Sequence, residues 1–236
     1  MQSDKLKDLS NLLRRRDSLR SRRDTTNEDV ESFSYYSNSV KRIMIAKKRS
    51  NLTGILGPVG ELCCVSEKYV ISYSALLNES VQYIVVEGQE HALAAINHLK
   101  ELNLTSAGFI PLNRLKKYVP NDSYHSLVTY EGFLGHAVDL VSYENKYKPL
   151  FNFLFNDVII VDTLENALKI SNCSESQHKL ITLQGEIVDM GGAILGGGYA
   201  SSTDILGAKN KISKLTEELE NVELAINAIK SDNNIK

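Results

Sequence analysis

"IVVEGQEHAL" at residues 84–93 and "IIVDTLENAL" at residues 159–168 stand 75 residues apart and read alike. Each begins with an apolar run suited to a buried strand, passes an acidic turn residue (Glu87 or Asp162), and enters an apolar-periodic helix. Upstream, Val65-Ser66-Glu67-Lys68-Tyr69 finds an echo in Val141-Ser142, with Tyr147 two residues late. Downstream, Ala107–Leu112 and Lys179–Leu183 each predict one further strand. Agreement in the order of elements predicts two similar half-domains of mixed α/β type, each with a helix between strands. Pro111 and Pro120 bracket the connection between them.

The ends of the chain have a different period. Ile212, Leu215, Leu219, Val222, Ile226 and Ile229 step by 3, 4, 3, 4 and 3, an a/d seam with charged residues outside it. A helix over this seam is roughly 27 Å long at 1.5 Å per residue and needs a partner to cover it. Val30, Phe33, Ser37, Val40 and Met44 repeat in the same way, after a capping-box sequence Thr25-Thr26-Asn27-Glu28. An earlier leucine-bearing helix is expected to end near Asp24. The simplest packing pairs the two arms antiparallel, and an amphipathic helix laid on the globular body is the alternative.

A chain of 236 residues with 42% hydrophobic and 24% charged residues belongs with ordinary globular proteins. Its apolar runs are too short for a membrane span, and the polar beginning lacks a signal-peptide core. Three cysteines (Cys63, Cys64, Cys173) make no disulfide framework, so a cytoplasmic location is expected. The net charge of −2 conceals an asymmetry: residues 1–49 carry 13 Lys/Arg against 7 Asp/Glu, and the remainder 14 against 22. A basic arm on an acidic body suits a local polyanion contact, although a solvated helix face has the same composition.

Sites for chemistry are sparse. "GGAILGGGYA" (191–200) has five glycines in eight positions, but Gly197-Gly198 stand where a phosphate loop needs Lys-Ser/Thr. Adjacent Cys63-Cys64 break zinc spacing, and His91 and His98 lack an accompanying carboxylate motif. Glu87 and Asp162 suit turn or cap duty better than acid–base chemistry. Close approach of two backbones remains for the glycines, with a mobile loop as the alternative.

The middle of the chain resembles the hinge domain of SMC proteins, the chromosome-organising ATPases. The resemblance rests on "GILGPVGELCCV" (54–65), "YIVVEGQEHALAAINHLK" (83–100), "AGFIPLNRL" (107–115), "GFLGHAVDLV" (132–141), "VIIVDTLENAL" (158–168) and above all "LITLQGEIVDMGGAILGGG" (180–198). It implies an α+β fold of two pseudo-symmetric lobes, flanked by an antiparallel coiled coil. The corresponding segments are a coiled-coil arm (1–50), lobe 1 (51–118), lobe 2 with the glycine-rich dimer segment (119–204) and a returning arm (205–236). Where the family has Leu-Gly, Leu77-Asn78 and Phe155-Asn156 stand here, and asparagine can take the left-handed angles a helix end requires.

What the resemblance implies for function is a homodimer whose interface includes Gly191, Gly192, Gly196, Gly197 and Gly198. It also implies weak, non-specific DNA contact, for which Lys47, Lys48, Arg49, Lys209 and Lys211 are the candidates, with the Arg14–Arg23 run in reserve. The segment itself would be no enzyme and hold no cofactor or metal. ATP and magnesium would belong to head domains elsewhere in a nucleoid-associated parent, and accessory subunits would bind elsewhere too. Two rival readings are a two-lobed small-molecule-binding domain or enzyme, with convergent polar groups in its cleft, and an independent DNA-binding protein.

Overall fold

The computed structural model describes residues 2–115, 127–173, 178–197 and 205–232. The chain divides into two compact units, residues 1–34 with 208–236, and residues 35–207.

In the larger unit the first half runs β1 (Ile55–Pro58), β2 (Cys63–Val65), a 3-10 turn, α3 (Val70–Leu77), β3 (Ile84–Val86), α4 (Gln89–Glu101) and β4 (Phe109–Pro111). The second half repeats the order as β5 (Phe133–His136), β6 (Val141–Tyr143), a 3-10 turn, α5 (Lys148–Phe155), β7 (Val158–Val161), α6 (Leu164–Cys173) and β8 (Lys179–Thr182). Two further strands follow, β9 (Ile187–Val188) and β10 (Ile194–Leu195). The sheets are ordered β1-β3-β4 and β10-β9-β8-β7-β5. In each half the central strand pairs antiparallel with the first strand and parallel with the last. The apolar runs are central strands, with Ile84, Val85, Val86, Ile159, Ile160 and Val161 all fully buried.

The repeat extends to single hydrogen bonds. Glu87 N donates to the Gly54 carbonyl and Asp162 N to that of Gly132, both at 2.9 Å. Gly54 and Gly132 have φ of +66° and +84°. A β-carbon at Gly54 would run into the His91 ring, and one at Gly132 into Asp162 and Asn166. Glycine is required at both for backbone angle and for space. Asp162 explains its acidic position: Oδ1 accepts from Thr163 N at 2.6 Å and Asn166 Nδ2 at 2.9 Å, bonds that hold its carboxyl below the usual range.

A two-stranded antiparallel ribbon joins the halves, with Cys63 opposite Tyr143, Cys64 opposite Ser142, and Val65 opposite Val141. Cys63 and Val65 are buried and Cys64 exposed, so the adjacent thiols face opposite sides as strand neighbours must. Around it, α3 reaches into the second half. Buried Tyr73 donates its hydroxyl to the Ala137 carbonyl, and Ser72 Oγ donates to the Thr182 carbonyl at 2.8 Å. The Tyr73 ring meets Phe155 edge-on at 5.2 Å. Burial holds the Tyr73 phenol far above its usual range, so it stays a donor.

Three expectations change. Val65 is not the counterpart of Val141: the ribbon and the following turns are offset by two residues, which brings Tyr69 into line with Tyr147. Asn78 has a positive φ of 43°, but Asn156 stays right-handed at −54°, with its carbonyl bonded to His136 Nε2. The Thr25-Thr26 sequence does not open a helix. α1 (Gln2–Glu31) passes through it, and both hydroxyls bond back to carbonyls four residues earlier.

In the helical unit α1 therefore supplies the partner for the C-terminal seam. Leu19, flanked by Leu9, Leu12 and Leu13, packs with Leu215, Leu219, Val222 and Ile226 of α7 (Ile205–Asp232). α1 ends where Phe33 turns left-handed (φ +58°) and Ser34 N bonds to the Asp29 carbonyl at 2.9 Å. Val40 and Met44 lie on a separate helix, α2 (Asn38–Lys48), and are buried within the larger unit.

Tyr73→Phe should cost about 1–3 kcal/mol in urea unfolding, because it strands the buried Ala137 carbonyl. A second test concerns His178, buried near His136 and Asp157. Burial lowers its imidazole pKa below 6.5, His136 lowers it further, and Asp157 opposes both. This contribution to unfolding free energy should be level above pH 6.5 and decline as pH falls through 6.5 towards the folded-state value, because the unfolded chain takes up the proton first. His178→Gln should flatten that decline.

Candidate self-association edge

The glycine-rich segment is held by the hairpin that precedes it. Thr182 Oγ1 accepts from Gln184 N and Glu186 N at 3.2 and 3.1 Å and donates to the Glu186 carboxylate. Thr182 N bonds to the Glu186 carbonyl at 2.9 Å, and the Thr182 carbonyl also takes the Ser72 bond from α3. The hairpin is thus tied to the core before the chain enters β9.

After β9 the chain turns at Asp189. Its Oδ1 accepts from Met190 N at 2.8 Å, and Asp189 N bonds to the Ala193 carbonyl at 2.8 Å. Lys179 lies 3.8 Å from the Asp189 carboxylate and braces the turn against β8. Among the described residues, β10 is then the outermost strand of the sheet. Met190, Ile194 and Leu195 are 52%, 54% and 57% exposed, an apolar group that a lone protomer leaves in water.

Gly191 and Gly192 lie in the turn, Gly196 and Gly197 follow β10, and Gly198 lies outside the described residues. A β-carbon at Gly191, Gly192 or Gly197 would meet nothing within 4 Å, and at Gly196 only Glu186 at 3.7 Å. Gly192 and Gly197 have φ of +82° and +141°, which accounts for glycine there. Nothing among the described residues accounts for it at Gly191 and Gly196.

The basic candidates are not brought together as one group. Lys47, Lys48 and Arg49 close α2 in the larger unit, whereas Lys209 and Lys211 lie on α7 in the helical unit. Lys47 is half-buried and donates to the Leu56 carbonyl at 2.7 Å, and burial lowers its pKa. Arg49 and Lys211 are exposed. Sequence reading missed a symmetric pair: Lys68 and Lys146 lie over the rings of Tyr69 and Tyr147, at 5.2 and 4.8 Å. The repeated Lys-Tyr dipeptide was the available signal.

A cleft of about 530 Å³ lies between the halves, walled by Tyr83, Phe109, Pro111, Phe153 and Leu154, with Arg114 and Lys179 as its charged groups. Among the described residues, no histidine, cysteine or carboxylate lines it. Among the described residues, no three His, Cys, Asp or Glu side chains group as a metal site. No described helix is long and apolar enough to cross a membrane.

Comparison with known proteins agrees with this architecture. The family described as SMC proteins Flexible Hinge Domain matches residues 52–171. A chromosome partition protein Smc from Halothermothrix orenii is 32% identical over 193 residues, 81% of this chain and 16% of its own length. That from Methanococcus voltae is 30% identical over 210 residues, 88% of this chain and again 16% of the relative. The chain therefore spans about one sixth of the relatives it matches. The SMC hinge domain of Geobacillus stearothermophilus, solved as an asymmetric dimer, superposes with a TM-score of 0.85 at 26% identity, covering 97% of this chain and 92% of that one. The Pyrococcus furiosus SMC hinge gives 0.57 at 28% identity, covering 75% and 89%. The duplicated lobes, the ribbon between them and this match over half the sequence place the chain in the SMC hinge-domain family.

Proposed function

We propose that this chain is the non-catalytic dimerisation module of a chromosome-partition Smc protein and joins two protomers through its glycine-rich edge. The carrying observation is the combination of Gly191 and Gly196, which nothing among the described residues requires, with the exposed β10 between them. The repeat suggests where the second protomer docks. β4 is the counterpart of β8, and β8 has β9 as its next strand, whereas among the described residues β4 is the last strand of its sheet. β10 of one protomer set beside β4 of the other extends both sheets by strand addition, and glycine allows the backbones to approach. The contact occurs twice about a twofold axis.

On this reading the helical unit is the root of a coiled-coil arm. ATP binding and hydrolysis with magnesium, and contacts with accessory subunits, belong to parts of the parent protein outside this chain. The module works at the nucleoid, in the cytoplasm. Its DNA contact is weak and sequence-independent, made with phosphates by the exposed cations Lys48, Arg49 and Lys211 and the half-buried Lys209, and weakens steeply with added salt. The apolar cleft, with no histidine, cysteine or carboxylate among its described lining residues, favours this module over a two-lobed enzyme.

Sedimentation equilibrium of the wild type beside Gly196→Arg tests the reading. Gly196 is the clean position, since a side chain at Gly197 would strain the backbone. The wild type should be a dimer and the variant a folded monomer whose stability changes by less than about 0.5 kcal/mol. A monomeric wild type, or a variant that dimerises equally well, contradicts it.

A further inference from the structure

We infer that the arm is pinned to lobe 1 at Gly60, with Ile205 of α7 seated over the glycine, and that this seat delivers load from the arm to the hinge. The inference rests on the reading of the helical unit as an arm root and is independent of the dimer.

The repeat isolates what is unusual about Gly60. Its counterpart is Val138, at the same offset that relates Gly54 to Gly132 and Tyr69 to Tyr147. The backbone runs alike at both places. Val59 N donates to the Tyr83 carbonyl and Ala137 N to that of Val158, both at 2.9 Å. Leu62 N and Leu140 N then close the two turns on the Val59 and Ala137 carbonyls. Gly60 also lies outside the left-handed region. A turn that carries valine in lobe 2 does not need glycine in lobe 1 for its backbone.

Space requires it. A β-carbon at Gly60 would collide with Ile205 Cγ2, and would stand 2.8 Å from Val81 Cγ2 and 3.3 Å from the Tyr36 hydroxyl. Ile205 is the first residue of α7, and Tyr36 lies in the link between α1 and α2, so both connections to the helical unit converge on this one residue. Tyr36 is buried, and Ile205 and Leu206 are each 1% exposed. Residues 205–207 belong to the larger unit, whereas the rest of α7 belongs to the helical one. On the entering side, Ser37 N donates to Gln82 Oε1 at 2.9 Å, in the same 3-10 turn (Asn78–Gln82) that supplies Val81.

In sequence α7 follows the glycine-rich segment of lobe 2, yet its first residue packs on lobe 1. Pulling or twisting of the arm is therefore received by lobe 1, through Ile205 and Tyr36. It passes to lobe 2 through the ribbon and through the bonds of Tyr73 and Ser72 to the Ala137 and Thr182 carbonyls. The lobe with the glycine edge is held at one remove from the arm.

The test exchanges volume across the seat. Gly60→Val adds three carbon atoms, giving lobe 1 the residue lobe 2 already carries, and Ile205→Ala removes three. Amide hydrogen exchange is read at residues 209–213, whose hydrogen bonds close the first turns of α7. Gly60→Val should lower their protection at least tenfold, and adding Ile205→Ala should bring it back to within about threefold of wild type. Protection in Gly60→Val equal to wild type overturns the seat. A loss that Ile205→Ala does not restore overturns the Gly60–Ile205 contact as its cause. Wild-type amides at 215–226 that exchange as freely as those of an isolated helix overturn the arm reading itself, whatever happens at 209–213. The ribbon amides of Cys63–Val65 report whether lobe 1 stays folded, and Gly60→Ala, which adds a single carbon, takes the place of Gly60→Val if it does not.

Discussion

The pairing of Cys63–Val65 with Val141–Tyr143 is the constraint on which the globular unit depends. Cys63 and Val141 are equivalent by the repeat, as are Val65 and Tyr143; Cys64 lies opposite its own equivalent Ser142, Cys63 opposite the equivalent of Val65, and Val65 opposite the equivalent of Cys63. An antiparallel ribbon between two copies of one strand has a local twofold axis, which passes here between Cys64 and Ser142. That axis brings α3 and α5 together, so Tyr73 meets Phe155 and reaches the Ala137 carbonyl. Each lobe supplies the other's missing surface.

Where the two halves differ, the differences have work to do. Tyr73 stands where the second half has Phe151, so the hydroxyl bond runs from the first lobe to the second and has no reverse copy. Gly54 makes room for a histidine ring and Gly132 for an aspartate and an asparagine. The largest difference among the described residues is the addition of β9 and β10 to β8, whereas β4 is the last strand of its sheet. An exposed, apolar edge strand invites association and is usually blunted by charge or bulges. Here glycines flank it, Asp189 and Lys179 brace its turn, and the proposed partner covers it. On the proposed reading, this broken symmetry within the protomer is what lets two protomers pair symmetrically.

Much of this was legible in the residues. The 75-residue repeat gave the lobes and their buried strands, because central strands must be apolar on both faces. The a/d seam of α7 was legible for the same reason. The end of α1 was not, since Phe33 occupies the left-handed position where glycine is the usual sign; Ser50 and Asn103 play that part after α2 and α4. Without that stop, Thr25-Thr26 read as a new beginning. The offset of the ribbon was also hidden, because Val-Ser recurs two residues out of step with the backbone. The glycines could be read only as candidates for close approach, and the surface proposed to meet them could not be read at all. The cleft likewise draws residues from Leu76 to Lys179, and no local pattern joins them.

Amide hydrogen exchange, followed as protein concentration is raised, tests the central claim most directly because it reads both sheet edges at once. The account predicts that residues 109–111 and 194–197 gain protection together as the dimer fills, while the β2–β6 ribbon is equally protected throughout. Association that protects neither segment, or protection that develops in the ribbon, would contradict it.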